Sequence, residues 1–356
     1  MRQTKKQTHT PTIYDGKTTK VLLGILVLFA VGFVLHILGS IFKPFLIALF
    51  FSFVLDAPIK LMRKMKIPKI IAIIVVLIVT FVLFYLIGLI IYSNIDAFVA
   101  EFPKYQTKFN DFYLKILELL KIPQENVNQY YSEIEWSELL QKLSIPKILS
   151  SSVGSFINFL ANLFLIFLFM IYILLGREHL LSRVAKAFPG ERSEKFYMVF
   201  DNINRGIQKY LVAKALISLG TGLSAAIVLM IFGVDFAWVW GLLTFLLNFI
   251  PNIGSVIATI PPILVAIFQF GGLFPAVWVA ILLISIQMTW GNIIEPAFMG
   301  KSLNMSPLVV IVSLIFWGFI WGPIGMILAV PISSSIQIVC ANIEPLKPIS
   351  ILMGDE

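Results

Sequence analysis

Asn248, Pro251, Asn252 and Gly254 fall in "NFIPNIGSVIATIPP" (248–262), inside the most apolar third of the chain. An asparagine amide offers both donor and acceptor, which suits a neutral polar solute or a cation. Proline removes a backbone donor and forces a turn, and glycine lets backbone or ligand come close. A helix broken at such a point leaves N–H and C=O groups unpaired, with a partial positive charge at the N-terminus. A second group, Gln287, Asn292 and Glu295, lies in "ISIQMTWGNIIEPAFMGKSLNMSP" (284–307). Helical spacing puts Asn292 and Glu295 on one side, with Gln287 loosely beside them. An ionisable residue in an apolar span is costly and marks a functional hypothesis. Glu295 could serve as a proton or cation site or as a gate; the plainer alternative is an ion pair with Lys301. Gly322, Pro323 and Gly325 form a third group in "FIWGPIGMILAVP" (319–331). For the asparagines the plainer alternative is helix capping.

Other chemistries find little support. His9, His36 and His179 are scattered, and no histidine follows them in the hydrophobic half, which argues against a Ser-His intramembrane protease. A single cysteine, Cys340, excludes a disulfide framework or a cysteine metal cluster. "DGKTTK" (15–20) has the tail of a phosphate loop, but Pro11 stands where its leading glycine belongs. Gly318 and Gly322 form a GxxxG spacing that permits close helix packing. Asn204 and Gln208, before the fifth span, are weaker candidates. No cofactor, metal or enzymatic activity is expected.

The elements that position these residues follow from composition. The chain has 356 residues, of which 59% are hydrophobic and 13% charged, and its mean hydropathy is +0.93. That balance cannot cover a soluble domain, and repeated runs of about 20 apolar residues match a bilayer core of ~30 Å. The net charge of +8 sits between apolar segments, as topology requires, so no nucleic-acid partner is expected. Spans are expected at Val21–Gly39, at a shorter Phe42–Leu55 and at Ile70–Tyr92. Basic residues in 1–20, 56–69 and 176–209 place these segments, and the C-terminal tail with them, on the cytoplasmic side of a bacterial cytoplasmic membrane.

The expected organisation is a cytoplasmic N-terminus with three scaffold spans (1–92), a helical extramembrane domain (93–152), a fourth span with a basic segment (153–209), a transport half (210–343) and a tail (344–356). Within 93–152, "FNDFYLKILELLKIP" (109–123) has the spacing of an amphipathic helix stopped by Pro123. That domain could cover a transport mouth, pack between subunits or simply decorate the surface. Asp201–Lys214 could be an amphipathic helix that merges into the fifth span, Tyr210–Phe232. The expected fold is therefore an all-α integral membrane protein with about eight membrane segments and a small helical insert.

Between Phe236 and Ser350 the only charges are Glu295, Lys301, Glu344 and Lys347, and the apolar pieces shorten. Phe236–Ile250 and Ser255–Phe270 flank the first break, and Ser306–Ile320 and Ile324–Ala341 the second. Arms of roughly 15 residues, about 22 Å, fall short of the bilayer core. They either span with help from their flanks or form re-entrant hairpins (236–270 and 306–341) with tips at mid-depth. Both breaks place Ile-Gly after a proline-containing turn, with Ala258 or Ala329 four residues on and Pro261 or Pro331 beyond. By the charge rule one hairpin enters from each side, which makes an inverted repeat and points to a transporter site. Chance matching of small residues is the alternative.

"FIPNIGSVIATIPP", "IIEPAFMGKSLNMSPLVVIVSL" and "WGFIWGPIGMILAVP", in that order, resemble the autoinducer-2 exporter (AI-2E) family of bacterial permeases. The resemblance covers nearly the whole chain and implies a secondary transporter with a moving hairpin half. It also implies a homo-oligomer, with a pentamer as one form, and a small-molecule or ion substrate. Members are linked to autoinducer-2 export and others to sodium–proton antiport. A non-transporting membrane scaffold acting through 93–152 is the reading from a different class.

Overall fold

The computed structural model describes residues 16–119, 152–188, 190–299 and 305–355. Twelve α-helices run in order through them: α1 (Gly16–Ile37), α2 (Gly39–Lys64), α3 (Lys69–Leu119), α4 (Ser152–Ala187), α5 (Glu191–Ile231), α6 (Ala237–Leu247), α7 (Ile253–Phe270), α8 (Leu273–Met288), α9 (Glu295–Met299), α10 (Pro307–Trp321), α11 (Pro323–Ala341) and α12 (Lys347–Met353). A π-helical turn, Thr289–Ile294, joins α8 to α9. Among the described residues seven helices are long and apolar enough to cross a membrane, while Leu22–Ile37 of α1, α6 and α10 are apolar but shorter. Large apolar side chains point outward throughout, Phe29 at 73% and Phe319 at 86% exposure among them. Lipid, not water, is the solvent such a surface fits. The protein is an all-α multi-pass membrane protein.

Helices α2, α3 and α4 pack together as one bundle. Ala48 and Ile59 of α2, Ala72, Ile73, Val76 and Leu77 of α3, and Leu163, Phe167, Met170 and Leu174 of α4 make its buried core. Helix α2 is longer than the expected Phe42–Leu55 segment. Its charged end, from Asp56 to Lys64, continues the helix because helical hydrogen bonding needs no apolar side chains once past the bilayer. Only Leu38 separates α1 from α2.

Helix α3 does not stop at the end of its apolar run. It continues as one 51-residue helix, about 75 Å long, into the region expected to be a separate extramembrane domain. The expected stop at Pro123 and the rest of that domain lie outside the described residues.

Helix α5 is also a single rod. Its 41 residues join the basic segment, the amphipathic stretch around Asp201–Lys214 and the fifth span. It turns into α6 through Gly233, in the left-handed region at φ 65°. There Gly233 N donates to Met230 O and Val234 N to Leu229 O, while Val234 packs on Leu229. That double bond pattern with its apolar contact seals the helix end.

The two hairpins are α6–α7 and α10–α11. Their arms are not equal, as expected from sequence, but paired short with long: 11 and 18 residues in the first, 15 and 19 in the second. Only the long arms reach membrane length.

Candidate functional site

The first break runs from Asn248 to Asn252. Asn252 sits at φ 59° and ψ −52°, and Pro251 O accepts from Ile253 N at 2.6 Å. This is a γ-turn, a strained conformation for a non-glycine residue. The Asn252 side chain is exposed and makes no capping bond. Asn248 is buried, and its Nδ2 donates to Ser218 Oγ on α5 at 3.1 Å. Neither asparagine side chain serves as a helix cap.

At the second break Gly322 adopts φ 67° and ψ −146°, a region open essentially to glycine alone. Pro323 then begins α11. The tip docks on the α1–α2 junction by a reciprocal exchange. His36 Nδ1 donates to Ile320 O, and Trp321 Nε1 donates to Leu35 O, each at 3.0 Å. Each helix end so supplies the donor that the other's terminal carbonyls lack.

The two hairpins cross in the same way. A Cβ on Gly254 would lie 1.8 Å from Leu247 O and 3.2 Å from Ile250 Cβ. A Cβ on Gly325 would lie 1.8 Å from Trp317 O and 3.1 Å from Trp321 Cβ. In each case the glycine just past the break lets the long arm touch the short arm's backbone. Ala258 and Ala329 follow one turn on, at 1% and 0% exposure, and the next buried prolines are Pro262 and Pro331. The sequence match had put Pro261 in that place, but Pro262 is the one that points into the core. Gly318 meets Met326 across the second crossing, whereas a Cβ on Gly322 would meet nothing within 4 Å, so only the first glycine of the GxxxG pair serves packing.

Both breaks share one buried cluster. Ile250 of the first joins Leu314, Trp317, Ile320, Trp321 and Ala329 of the second. Beside it runs α5. Gly222 and Ala226 of α5 meet Gly241 of α6 so closely that no further Cβ fits between them. Ser218, one turn earlier, holds Asn248. One turn before Ser218 stands Lys214.

Lys214 is the residue that sequence reading missed. Its side chain is 3% exposed, and its Nζ lies 2.6 Å from Glu295 Oε1, while Glu295 is 25% exposed. Among the described residues Lys214 is the ion-pair partner of Glu295; Lys301, the partner considered from sequence, lies outside them. A lone cation inside an apolar span is a signal in its own right, and small residues at four-residue spacing after it (Ser218, Gly222, Ala226) mark a packed helix face.

Glu295 follows the π turn, which also changes the expected neighbours. Asn292 lies inside it and is exposed, so the α-helical spacing assumed between Asn292 and Glu295 does not hold. Gln287 is half-buried on α8. The same turn presents Trp290, whose ring lies over Gly220 and whose Nε1 donates to Ser224 Oγ at 3.3 Å. π turns recur at functional sites because they re-aim side chains without ending the helix. Here the turn brings Trp290 and Glu295 together onto α5.

The structure thus joins Asn248, Ser218, Lys214 and Glu295 along one helix, with the Gly322–Gly325 break in the cluster alongside. Asn204 and Gln208 lie lower on α5. Gln208 Nε2 donates to Asp56 Oδ2 at 3.3 Å, and Asn204 Oδ1 is buried without a hydrogen-bond partner among the described residues. No group of three or more histidine, cysteine or acidic residues gathers as a metal site among the described residues.

Comparison with known proteins identifies the family. The family described as "AI-2E family transporter" matches residues 23–344. The chain is 30% identical over 343 residues to the AI-2 transport protein TqsA of Escherichia coli strain K12, covering 96% of each chain. It is 32% identical over 340 residues to a transport protein of Haemophilus influenzae, covering 94% of this chain and 96% of that one. It is 31% identical over 332 residues to a transport protein of Borreliella burgdorferi, covering 93% and 89%. A family match over nearly the whole chain and relatives of this identity, on an all-α multi-pass fold, lead to one conclusion: the chain belongs to the AI-2E transporter family.

Proposed function

We propose that the protein is a secondary transporter that moves a small polar solute across the bacterial cytoplasmic membrane, along a route between the two hairpin breaks and the Lys214–Glu295 pair. One observation carries this reading: both breaks enter a single buried cluster beside an ion pair on α5. Broken backbone is tolerated at membrane depth only inside protein or along a polar cavity. Basic loops orient the chain with both termini in the cytoplasm. The first hairpin then enters from outside and the second from inside, each as a re-entrant element. The route takes in Asn248, Pro251, Asn252, Gly254, Gln287, Asn292, Glu295, Gly322, Pro323 and Gly325. The printed name of the Escherichia coli relative makes a solute of the autoinducer-2 kind the first to test. Assembly as a homo-oligomer belongs to the same proposal.

Asn252→Ala and Glu295→Gln are expected to abolish solute movement in membrane vesicles while insertion stays intact. Wild-type rates in both variants would overturn the route. The double variant Lys214→Met/Glu295→Gln removes both charges and shows whether a loss comes from misfolding.

The ion pair favours a second reading, cation–proton antiport at Glu295. The Lys214 ammonium occupies the place a transported cation would take. Proteoliposomes carrying a pH dye decide between the two: a sodium gradient that moves no protons removes the antiport reading.

A further inference from the structure

The region of α3 beyond its apolar run does more than extend from the scaffold. Tyr105, 5% exposed, enters the buried cluster formed by Ala225 and Leu229 of α5, Val234, Ala237 of α6, Val265 and Ala266 of α7, and three residues of α8. Its hydroxyl donates to Asp235 Oδ2 at 2.6 Å. Burial first, then the Asp235 carboxylate, push the phenol above its ordinary range, so it remains a donor. Lys104 Nζ stands 3.9 Å from the same carboxylate oxygen, and Lys108 Nζ donates to Gln269 O.

A second set of bonds lies wholly within the outer end of the first hairpin. Gln269 Oε1 accepts from Asp235 N at 2.8 Å, and Gln269 Nε2 donates to Gly233 O at 2.7 Å. Trp240 Nε1 donates to Asp235 O at 3.1 Å. These bonds tie the start of α6 to the end of α7 and make the hairpin base one rigid piece. The bonds to α3 join side chains that stay open to solvent at their edge, with Lys104 at 52% and Asp235 at 29% exposure. This region therefore parts first between α3 and the 233–236 turn, and the hairpin base loses the support of α3 when it does.

We infer that Tyr105 and Asp235 form a latch that fastens the first hairpin to the scaffold at its outer end and must release for the hairpin tip to open outward. Helix α3 makes this a mechanical link, because the same helix is rooted in the scaffold core at Ala72–Leu77. The latch stands whatever solute is carried. Tyr105→Phe keeps the ring in the cluster and removes only the hydroxyl; Asp235→Asn keeps the shape and removes the charge.

Hydrogen exchange of the full chain in lipid nanodiscs tests it. In either variant, amides of 233–240 and 265–271 are expected to exchange about tenfold faster or more, the loss of one hydrogen bond to a charged acceptor. Those of α2 and α4 should be unchanged. A parallel reporter, Ser255→Cys in a Cys340→Ser background, should react faster with a membrane-impermeant maleimide added outside. Unchanged exchange overturns the latch. So does faster exchange spread through α2 and α4, which marks a general loss of structure. Local exchange with unchanged labelling of position 255 overturns the link to outward opening.

Discussion

Glu295→Gln is expected to cost about 3–5 kcal/mol of stability, because it leaves the Lys214 ammonium buried without a counter-charge. Lys214 is 2% exposed as a residue, so no rotation carries its head to water. Lys214→Met should cost less, since the stranded Glu295 carboxylate is 25% exposed and reaches solvent or headgroups. The double variant should recover most of the loss, because methionine and glutamine fill similar volumes without charge. The three variants and wild type complete a double-mutant cycle, read by unfolding in detergent, and its coupling energy isolates the pair. A cost below about 1 kcal/mol for Glu295→Gln would mean that the pair is not an ionic one in the resting protein.

Among the described glycines, Gly254→Ala and Gly325→Ala are expected to be the most damaging changes to alanine. Each would place a carbon 1.8 Å from a backbone oxygen, and backbone cannot swing aside as a side-chain tip can. The hairpin arms must separate, at a cost of about 1–3 kcal/mol or more for each overpacked crossing. Both changes should also lower transport, because both breaks feed the shared cluster. Gly291→Ala is the matched control: it lies in the π turn beside Glu295, yet its Cβ would meet nothing within 4 Å. Equal melting temperatures for Gly254→Ala and Gly291→Ala would show that the first crossing is looser than its geometry.

The parts of this fold that were legible in the sequence are those fixed by local chemistry. Pro251, Gly254, Gly322 and Pro323 are strong punctuation in apolar runs, and both breaks fall where those residues stand. The matched glycine–alanine spacing, read from sequence as a repeat of two breaks, stands at two crossings with closely similar contacts. What stayed hidden depends on distance or on continuation. Lys214 and Glu295 are 81 residues apart, whereas Lys301 sits close by in sequence. Asn248 and Ser218 meet only because α6 folds back on α5. The charged ends of α2 and α3 look like loop or domain boundaries to a hydropathy reading, but their backbones continue the helix unchanged. The π turn was hidden as well, since an α-helical period had been assumed straight through Asn292.

The unequal arms bear on how the chain enters a membrane as it is made. In both hairpins the short arm, α6 or α10, leaves the ribosome before its long partner. With 11 and 15 residues, neither has the length of about 20 by which a segment is handed sideways into lipid on its own. Each must wait beside the insertion machinery until α7 or α11 follows, and then go in as a pair already crossed at Gly254 or Gly325. For α6 the waiting place is the face of α5 bearing Ser218, Gly222 and Ala226, which has already been synthesised. The order of synthesis and the order of burial thus differ twice in this chain, and those two delays fall on the two broken hairpins.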